Sequence, residues 1–548
     1  MRISKNGARS ASVLKAALMI GVAIPAMGGA ASGATWQMVV NNGVVAPQSV
    51  TQPKTPYFFS YNQPAINTAG QVVFRARAKP LTLEGQGGGG GEPVRGVYTA
   101  LGTGGLAGGI RIVADNLGVL VPQPNTTGAQ FIEFPSTPRA DALSATVATR
   151  GQSQPVVTLS DGTKVGTSGV YLRVGGDTTE AAPALVTGAS LVGNVPAYSY
   201  FSVPTEAPGT KFDQFPGSPS PVAGIAVFKG NYTVDGVGKT GVFLRNTKGG
   251  TQPVKLIVKS GMPIPDAPGK VFGSAAPPSA ATNTLGVKKV VFAGFDNEEA
   301  PTAGGIYITK LADATYLRAL AAIGTQVPTM PAGTTFNKFG EGLSFEGRFV
   351  TFWGAWGSET KIVHKDCPAD GNKDLIAYCL QQYPSGADLP VPVNQGIFLV
   401  DVQTSVITLI AKTNADGFTD FLYWTYSGKP PGSSGEAEDA EPPRWRSSAF
   451  TAVTTNSMVF KGQKGAVDGL YARNANSSTI IRVLDTTMDG RSVDPAAPIG
   501  SLVSAIGVER DGFRGSKVAI TASMLNAATT ASWAGIYVHD CGATCSSW

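Results

Sequence analysis

Seven times along this chain a three-residue apolar run is followed, across a polar link, by a second run opening Gly-aliphatic-aromatic. The first runs are VVF 72–74, ATV 145–147, AVF 226–228, VVF 290–292, VTF 350–352, MVF 458–460 and VAI 518–520. The second runs begin at Gly96, Gly169, Gly241, Gly305, Gly396, Gly469 and Gly535. The intervals between these glycines are 73, 72, 64, 91, 73 and 66 residues, a regularity that marks one large repeat array. Gly at 69, Pro at 38 and only 15% charged residues accompany β-branched and aromatic runs, so the repeats are built of short strands and turns.

Each second run but the last is followed by a third, at 110–113, 184–187, 255–258, 317–321, 406–411 and 480–484. The last repeat lacks one, and a single run of that kind, 36–40, is left over at the other end. A fourth strand precedes each couplet, at 57–61, 130–134, 212–215, 271–273, 335–339, 418–423 and 502–508. An array whose first strand completes its last repeat closes on itself and exposes no sheet edge. The expectation is an all-β, seven-bladed β-propeller of four strands per blade, closed by the N-terminal strand. A pair of β-sandwiches does not require a lone terminal strand, and a β-helix has a shorter period.

Arg2, Lys5, Arg9 and Lys15 precede or enter the apolar run 16–27, and small residues follow to Ala34. This reads as a signal peptide over 1–34, with a retained membrane anchor as the alternative. The remaining 35–548 is expected to be a single propeller with an insertion, 357–394, in blade five, and a Gly tract at 85–91 in blade one. Four of the six net positive charges lie in the leader, leaving +2, which excludes an electrostatic footprint for nucleic acid. The chain is thus read as a bacterial secreted or periplasmic protein, a monomer with no membrane span after processing.

Cys367, Cys379, Cys541 and Cys545 suggest two local disulfides, although three connectivities are possible; a four-Cys zinc site matches their spacing poorly. Two histidines, His364 and His539, leave little for metal sites or a catalytic triad, and no motif calls for a cofactor. The run from Asp366 through Asp370, Asn372 and Asp374 is loosely like a calcium loop, but Pro368 and Ala377 stand where ligands belong. Asp296, Glu298 and Glu299 are either an acid–base cluster or a solvated loop, and 428–443 reads as a solvated loop. The candidate ligand contacts are aromatic: Trp353, Trp356, Tyr423, Trp424, Tyr426 and Trp445, crowded into blades five and six. Exposed flat rings stack on sugars or grip partners, whereas core rings fill space. At least one of Phe352 and Trp353 is expected to face away from the core.

The hairpin N-x-x-G-x-[VK]-x-F followed by G-[IV]-[YF] resembles a group of exported bacterial tandem-repeat proteins without assigned activity. Asn67, Gly70 and Phe74 carry it in blade one, Asn283, Gly286 and Phe292 carry it with two extra residues in blade four, and Asn456 and Phe460 remain of it in blade six. The resemblance implies no catalytic residues. The functional expectation is a non-catalytic binding propeller for a glycan or a protein. The alternative is a polysaccharide-active hydrolase or lyase with paired carboxylates at the axial funnel.

Overall fold

The structure, a computed structural model, describes residues 34–50, 55–80, 93–101, 109–122, 130–153, 157–158, 164–165, 167–174, 185–192, 201–248, 252–369, 372–428, 430, 442–455 and 457–548. The proposed leader up to residue 33, the Gly tract 85–91, most of the expected loop 428–443, Asp370 and Asn456 lie outside them.

The repeat couplet becomes the central hairpin of a sheet. In blade I the strands Pro56–Tyr61, Gln71–Pro80, Val94–Leu101 and Ile110–Asp115 lie side by side, with Phe74 opposite Tyr98. The same antiparallel order recurs in blades II to VI. Blade VII is completed from the other end of the chain: Gln37–Asn41 pairs with Ser532–Asp540, placing Gln37 opposite Val538 and Val40 opposite Ile536. The chain is a seven-bladed β-propeller closed by its N-terminal strand, as the leftover run required.

Why the motif has its form is visible in the packing. In six blades an inner-strand Phe meets the aromatic of the Gly-x-aromatic triplet edge-on. The centroid distances are 5.1 Å for Phe58–Tyr98, 4.9 Å for Phe131–Tyr171, 5.0 Å for Phe212–Phe243, 5.2 Å for Phe272–Tyr307 and 4.8 Å for Phe336–Phe398 and Phe418–Tyr471. Such pairs add about 0.5–1.5 kcal/mol each beyond their buried area. The glycine two residues earlier lies under the ring: a Cβ at Gly96 would stand 2.6 Å from the Tyr98 ring. Blade VII carries Val503 at the inner position, opposite Met524 as Phe58 is opposite Ala78.

Two details differ from the sequence reading. The copy in blade II sits two residues later than expected, because Gly151 is opposite Gly169 just as Ala76 is opposite Gly96, so Val147-Ala148-Thr149 takes the place of Val72-Val73-Phe74. The inner strand is also broken in two. Its first half pairs with the end of the second strand, and a short second half pairs with the start: Ala65–Ile66, Arg139–Ala140, Ser220–Val222, Ser279–Thr282, Ser344–Phe345, Thr451–Val453 and Phe513–Arg514. Each of these seven segments touches the next around the ring, and the seventh touches the first, so together they form the axial floor. Asn67 and Asn283 make the turn that leaves this floor. Their Oδ1 atoms accept from Gln71 N at 2.8 Å and Val287 N at 2.8 Å, while Gly70 and Gly286 take φ of 86° and 76°.

The floor is sealed by charge. Arg139 of blade II donates through Nε to Asp511 of blade VII at 2.5 Å, through Nη1 to Pro278 O at 2.7 Å and through Nη2 to Ser279 Oγ at 2.8 Å in blade IV. Arg514 also donates to Asp511, and reaches Val453 O at 2.9 Å and Phe345 O at 3.1 Å in blades VI and V. Burial opposes the Asp511 charge, but Arg139 and Arg514 more than offset it and hold the carboxyl below its ordinary range. At the closing blade, buried Asp494 accepts from Asn41 Nδ2 at 2.8 Å, Trp533 Nε1 at 2.9 Å and Tyr537 OH at 2.9 Å. The N-terminal strand is thus tied to its blade by side chains as well as by the ladder.

Disulfides join Cys367 to Cys379 and Cys541 to Cys545. Among the described residues no helix is long and apolar enough to cross a membrane.

Candidate functional site

The face opposite the floor carries the connections between second and third strands: blade IV has the loop 296–303 there, blade V a long insertion, and blade VI adds a ribbon from its inner strand. Within blade V, Thr360–Lys365 pairs with Ala387–Pro392, and the helix Lys373–Gln382 lies between them. The inner strand of blade VI expands between its two halves into a ribbon, Tyr423–Ser427 against Arg444–Ser448. This corrects the expectation that Tyr423 ends the inner strand. Lys361 ties the blade V hairpin to blade VI through Asp420 at 3.0 Å, Tyr383 meets Tyr426 edge-on at 6.1 Å, and Arg444 reaches Glu298 of blade IV at 3.0 Å. The three elaborations therefore brace one another.

None of the six candidate aromatics is exposed. Trp353 and Trp356 are 5% and 6% accessible and belong to clusters between blades. Phe352 is also buried, so neither Phe352 nor Trp353 faces solvent; both faces of a propeller blade are covered by neighbouring blades. Tyr426 is buried, while Tyr423, Trp424 and Trp445 are half-buried. Tyr426 stands opposite Trp445, their rings 5.4 Å apart. Tyr423 OH, Trp424 Nε1, Tyr426 OH and Trp445 Nε1 are inaccessible and lack hydrogen-bond partners among the described residues. Such groups cost about 1–3 kcal/mol each when left unpaired, so the ribbon is short of acceptors rather than rich in free ring faces.

The ribbon's foot holds a cluster of titratable groups shifted by burial. Lys461 Nζ lies 3.7 Å from the Tyr423 ring centroid and 5.2 Å from that of Phe450. Burial pulls its ammonium down to about 8 against the opposing effect of Asp468. Burial likewise raises the Asp468 carboxyl, only partly offset by Lys461 and Lys365. In register, Gln463 stands between Asp468 and Asp420. Asp420 is committed: it accepts from Gln395 Nε2 at 2.9 Å and pairs with Lys361. Lys461 is the residue after MVF, the position also occupied by Arg75, Arg150, Lys229, Ala293, Trp353 and Thr521.

That position points between blades. In blade I its occupant, Arg75, meets Glu133 of blade II at 2.8 Å, with Arg77 at 3.3 Å and Arg95 at 3.5 Å around the same carboxylate. Burial works against the Glu133 charge, yet Arg75 and the Phe134 amide hold its carboxyl below the ordinary range. Glu133 is the third residue of a Phe-x-x-Phe motif, 131–134, repeated at 212–215, 336–339 and 418–421. The recurrence of that motif was the signal for these contacts, and the couplet alone did not contain it.

The other candidates are local fixtures. Asp296 accepts from Thr302 and Ala303 amides at 2.9 Å and pairs with Lys270 at 3.3 Å, and these bonds hold it well below the carboxylate range despite burial. Asn372, in the calcium-like run, caps the helix by accepting from Asp374 N at 2.9 Å. His364 is raised by its 2.7 Å contact with Asp388. His539 lies between Trp36 and Trp548 at 5.5 and 5.7 Å. No group of His, Cys, Asp and Glu fit to hold a metal occurs among the described residues.

No protein-family model matches the chain, and no curated protein is similar to it in sequence. It is similar in structure to a prolyl endopeptidase at 9% identity and a TM-score of 0.38, over 88% of this chain and 50% of that one. It is similar to an oligogalacturonate lyase in complex with manganese at 10% identity and a TM-score of 0.38, over 92% and 98% of the two chains. The β-propeller domain of the trilobed protease from Pyrococcus furiosus is similar at 9% identity and a TM-score of 0.26, over 74% and 93%. The chain thus spans half the length of the prolyl endopeptidase.

Proposed function

We propose that this chain is an exported, non-catalytic binding propeller that engages a glycan or a protein on the elaborated face over blades IV to VI. One observation carries the reading: the ribbon buries four aromatic hydrogen-bonding groups without described partners, above a floor whose carboxylate is fully engaged by arginines. Hydroxyl-bearing ligands supply both donors and acceptors to such groups. The two disulfides support an oxidising compartment, and the Asn-x-x-Gly turns support membership of the exported tandem-repeat group the sequence resembles. The test is a glycan array and a partner screen with residues 35–548, repeated with the ribbon replaced by a short turn. Ribbon-dependent binding is expected; binding that survives the replacement refutes the assignment of the face.

Asp468 favours a second reading. A carboxyl raised by burial, near a lysine pulled down to about 8, suits general acid–base chemistry. Release of new reducing ends from a polysaccharide panel, abolished by Asp468→Asn, would establish it in place of the first.

A further inference from the structure

The slot between blades I and II shows what its counterpart between blades II and III lacks among the described residues. In the first, Arg75 follows Phe74 and meets the carboxylate of Glu133. In the second, Arg150 takes the same place: Arg150 stands opposite Val170 and Gly151 opposite Gly169, as Arg75 stands opposite Val97 and Ala76 opposite Gly96. Its neighbour on the same strand face, Ala148, packs with Phe212 and Phe215 of blade III, so this face looks onto the 212–215 segment. The residue there that corresponds to Glu133 is neutral Gln214. The Arg150 guanidinium makes no hydrogen bond or ion pair among the described residues, and its Nε is inaccessible. Burial, with no carboxylate among the described residues opposing it, pulls the group down to about 10.

We propose that the slot between blades II and III is a carboxylate-binding site, in which Arg150 takes the acid group of a uronate-bearing glycan where blade I uses its own neighbour's Glu133. The guanidinium fork matches a carboxylate in two parallel bonds, and an unpaired arginine removed from water gains most from such a partner. The adjoining slot supplies the template, since a carboxylate on a glutamate-length arm fills it. The proposal rests on the binding reading for its ligand, but places the acidic group away from the ribbon.

The experiment titrates glucuronate, with glucose and acetate as controls, into the wild type, Arg150→Gln, Arg150→Lys and Gln214→Glu at low salt by calorimetry. The expected result is that glucuronate binds the wild type at least tenfold more tightly than glucose, and that Arg150→Gln loses that margin while Arg150→Lys keeps part of it. Gln214→Glu should lose the margin too and melt at a higher temperature, because it installs the counter-ion inside the molecule. Acetate binding as well as glucuronate would assign the slot to carboxylates at large and overturn the uronate assignment. Unchanged glucuronate binding in Arg150→Gln, or none in the wild type, overturns the proposal. If ribbon-dependent binding of a neutral glycan persists in that case, the binding reading stands without it. A Gln214→Glu protein no more stable than the wild type would show that Arg150 is already neutralised within the fold, and sinks the proposal independently.

Discussion

The axial floor and the inter-blade slots both bury arginines, but they satisfy them differently. At the floor, Arg139 and Arg514 share Asp511, and their Nη atoms reach carbonyls and a hydroxyl on blades IV to VII, while Arg514 Nε has no hydrogen-bond partner among the described residues. Every contributing blade places a short strand against its neighbours there, so the partners are supplied by the ring itself. In the slots the same backbone position receives Arg75, Arg150, Lys229, Ala293, Trp353, Lys461 or Thr521, and the surroundings differ from blade to blade. Arg75 has Glu133, Trp353 donates to Gln395 Oε1 at 2.9 Å, and Lys461 lies against aromatic rings. Closure fixes the floor; the slots are where the repeats were free to diverge.

The largest effect that could break this contrast is at the floor. Asp511→Ala leaves Arg139 and Arg514 buried without their shared anion, and should cost about 3–5 kcal/mol in urea unfolding. A loss below about 1 kcal/mol would mean that the floor does not hold the ring. The pH dependence has a defined sign. The folded carboxyls of Asp511, Asp494 and Glu133 lie below their ordinary values, so their stabilisation is present above about pH 4 and is lost as pH falls through the folded values.

Lys461 should give the next largest effect, with a slope of the same sign in a higher pH window. Its folded value, about 8, lies below its ordinary 10.5, so the folded state binds fewer protons between those limits. Stability should therefore rise as pH is raised from 8 to 10.5, by up to about 3 kcal/mol. Lys461→Met should remove the rise, which denaturant melts across that range would read directly. Asp494→Asn comes third: it weakens three side-chain bonds at the closing blade and should cost about 1–3 kcal/mol, with limited proteolysis releasing residues 34–41 first. Uniform cleavage would show that the ladder alone holds the closing strand.

Much of the scaffold could be read from spacing. Recurring intervals of 64 to 91 residues and one leftover run specified the closure, because a missing edge strand at one terminus and a spare at the other have one solution. The break in the inner strand could not be read: Ala65–Ile66 and Phe513–Arg514 are two residues each, too short for alternation to show. The expectation that Phe352 or Trp353 faces away from the core was overturned for a related reason. A strand with rings on both faces looks half-exposed in a sheet with one covered side, but Phe352 and Trp353 each have a neighbouring blade to enter. Arg150 and Lys461 were overlooked because their meaning lies in what faces them from the next blade, which no single repeat contains.

The smallest predicted effect sharpens the comparison within one slot. Arg75 and Arg77 both reach Glu133, yet their side chains are 13% and 43% exposed. Arg77 also stands directly opposite Arg95, a like-charge pairing that works against its attraction to the carboxylate. Arg75→Gln should therefore cost about 1.5–3 kcal/mol, the scale of a charge-assisted bond with little solvent to replace it. Arg77→Gln should change stability by less than about 0.5 kcal/mol in either direction, because an exposed pair is screened and its loss relieves Arg95. A double-mutant cycle with Glu133→Gln separates the two: strong coupling for Arg75 and almost none for Arg77. Equal couplings would mean that Glu133 is held by summed charge rather than by the one arginine that shares its burial, and the occupant of the Arg75 position would then lose its claim to set the chemistry of each slot.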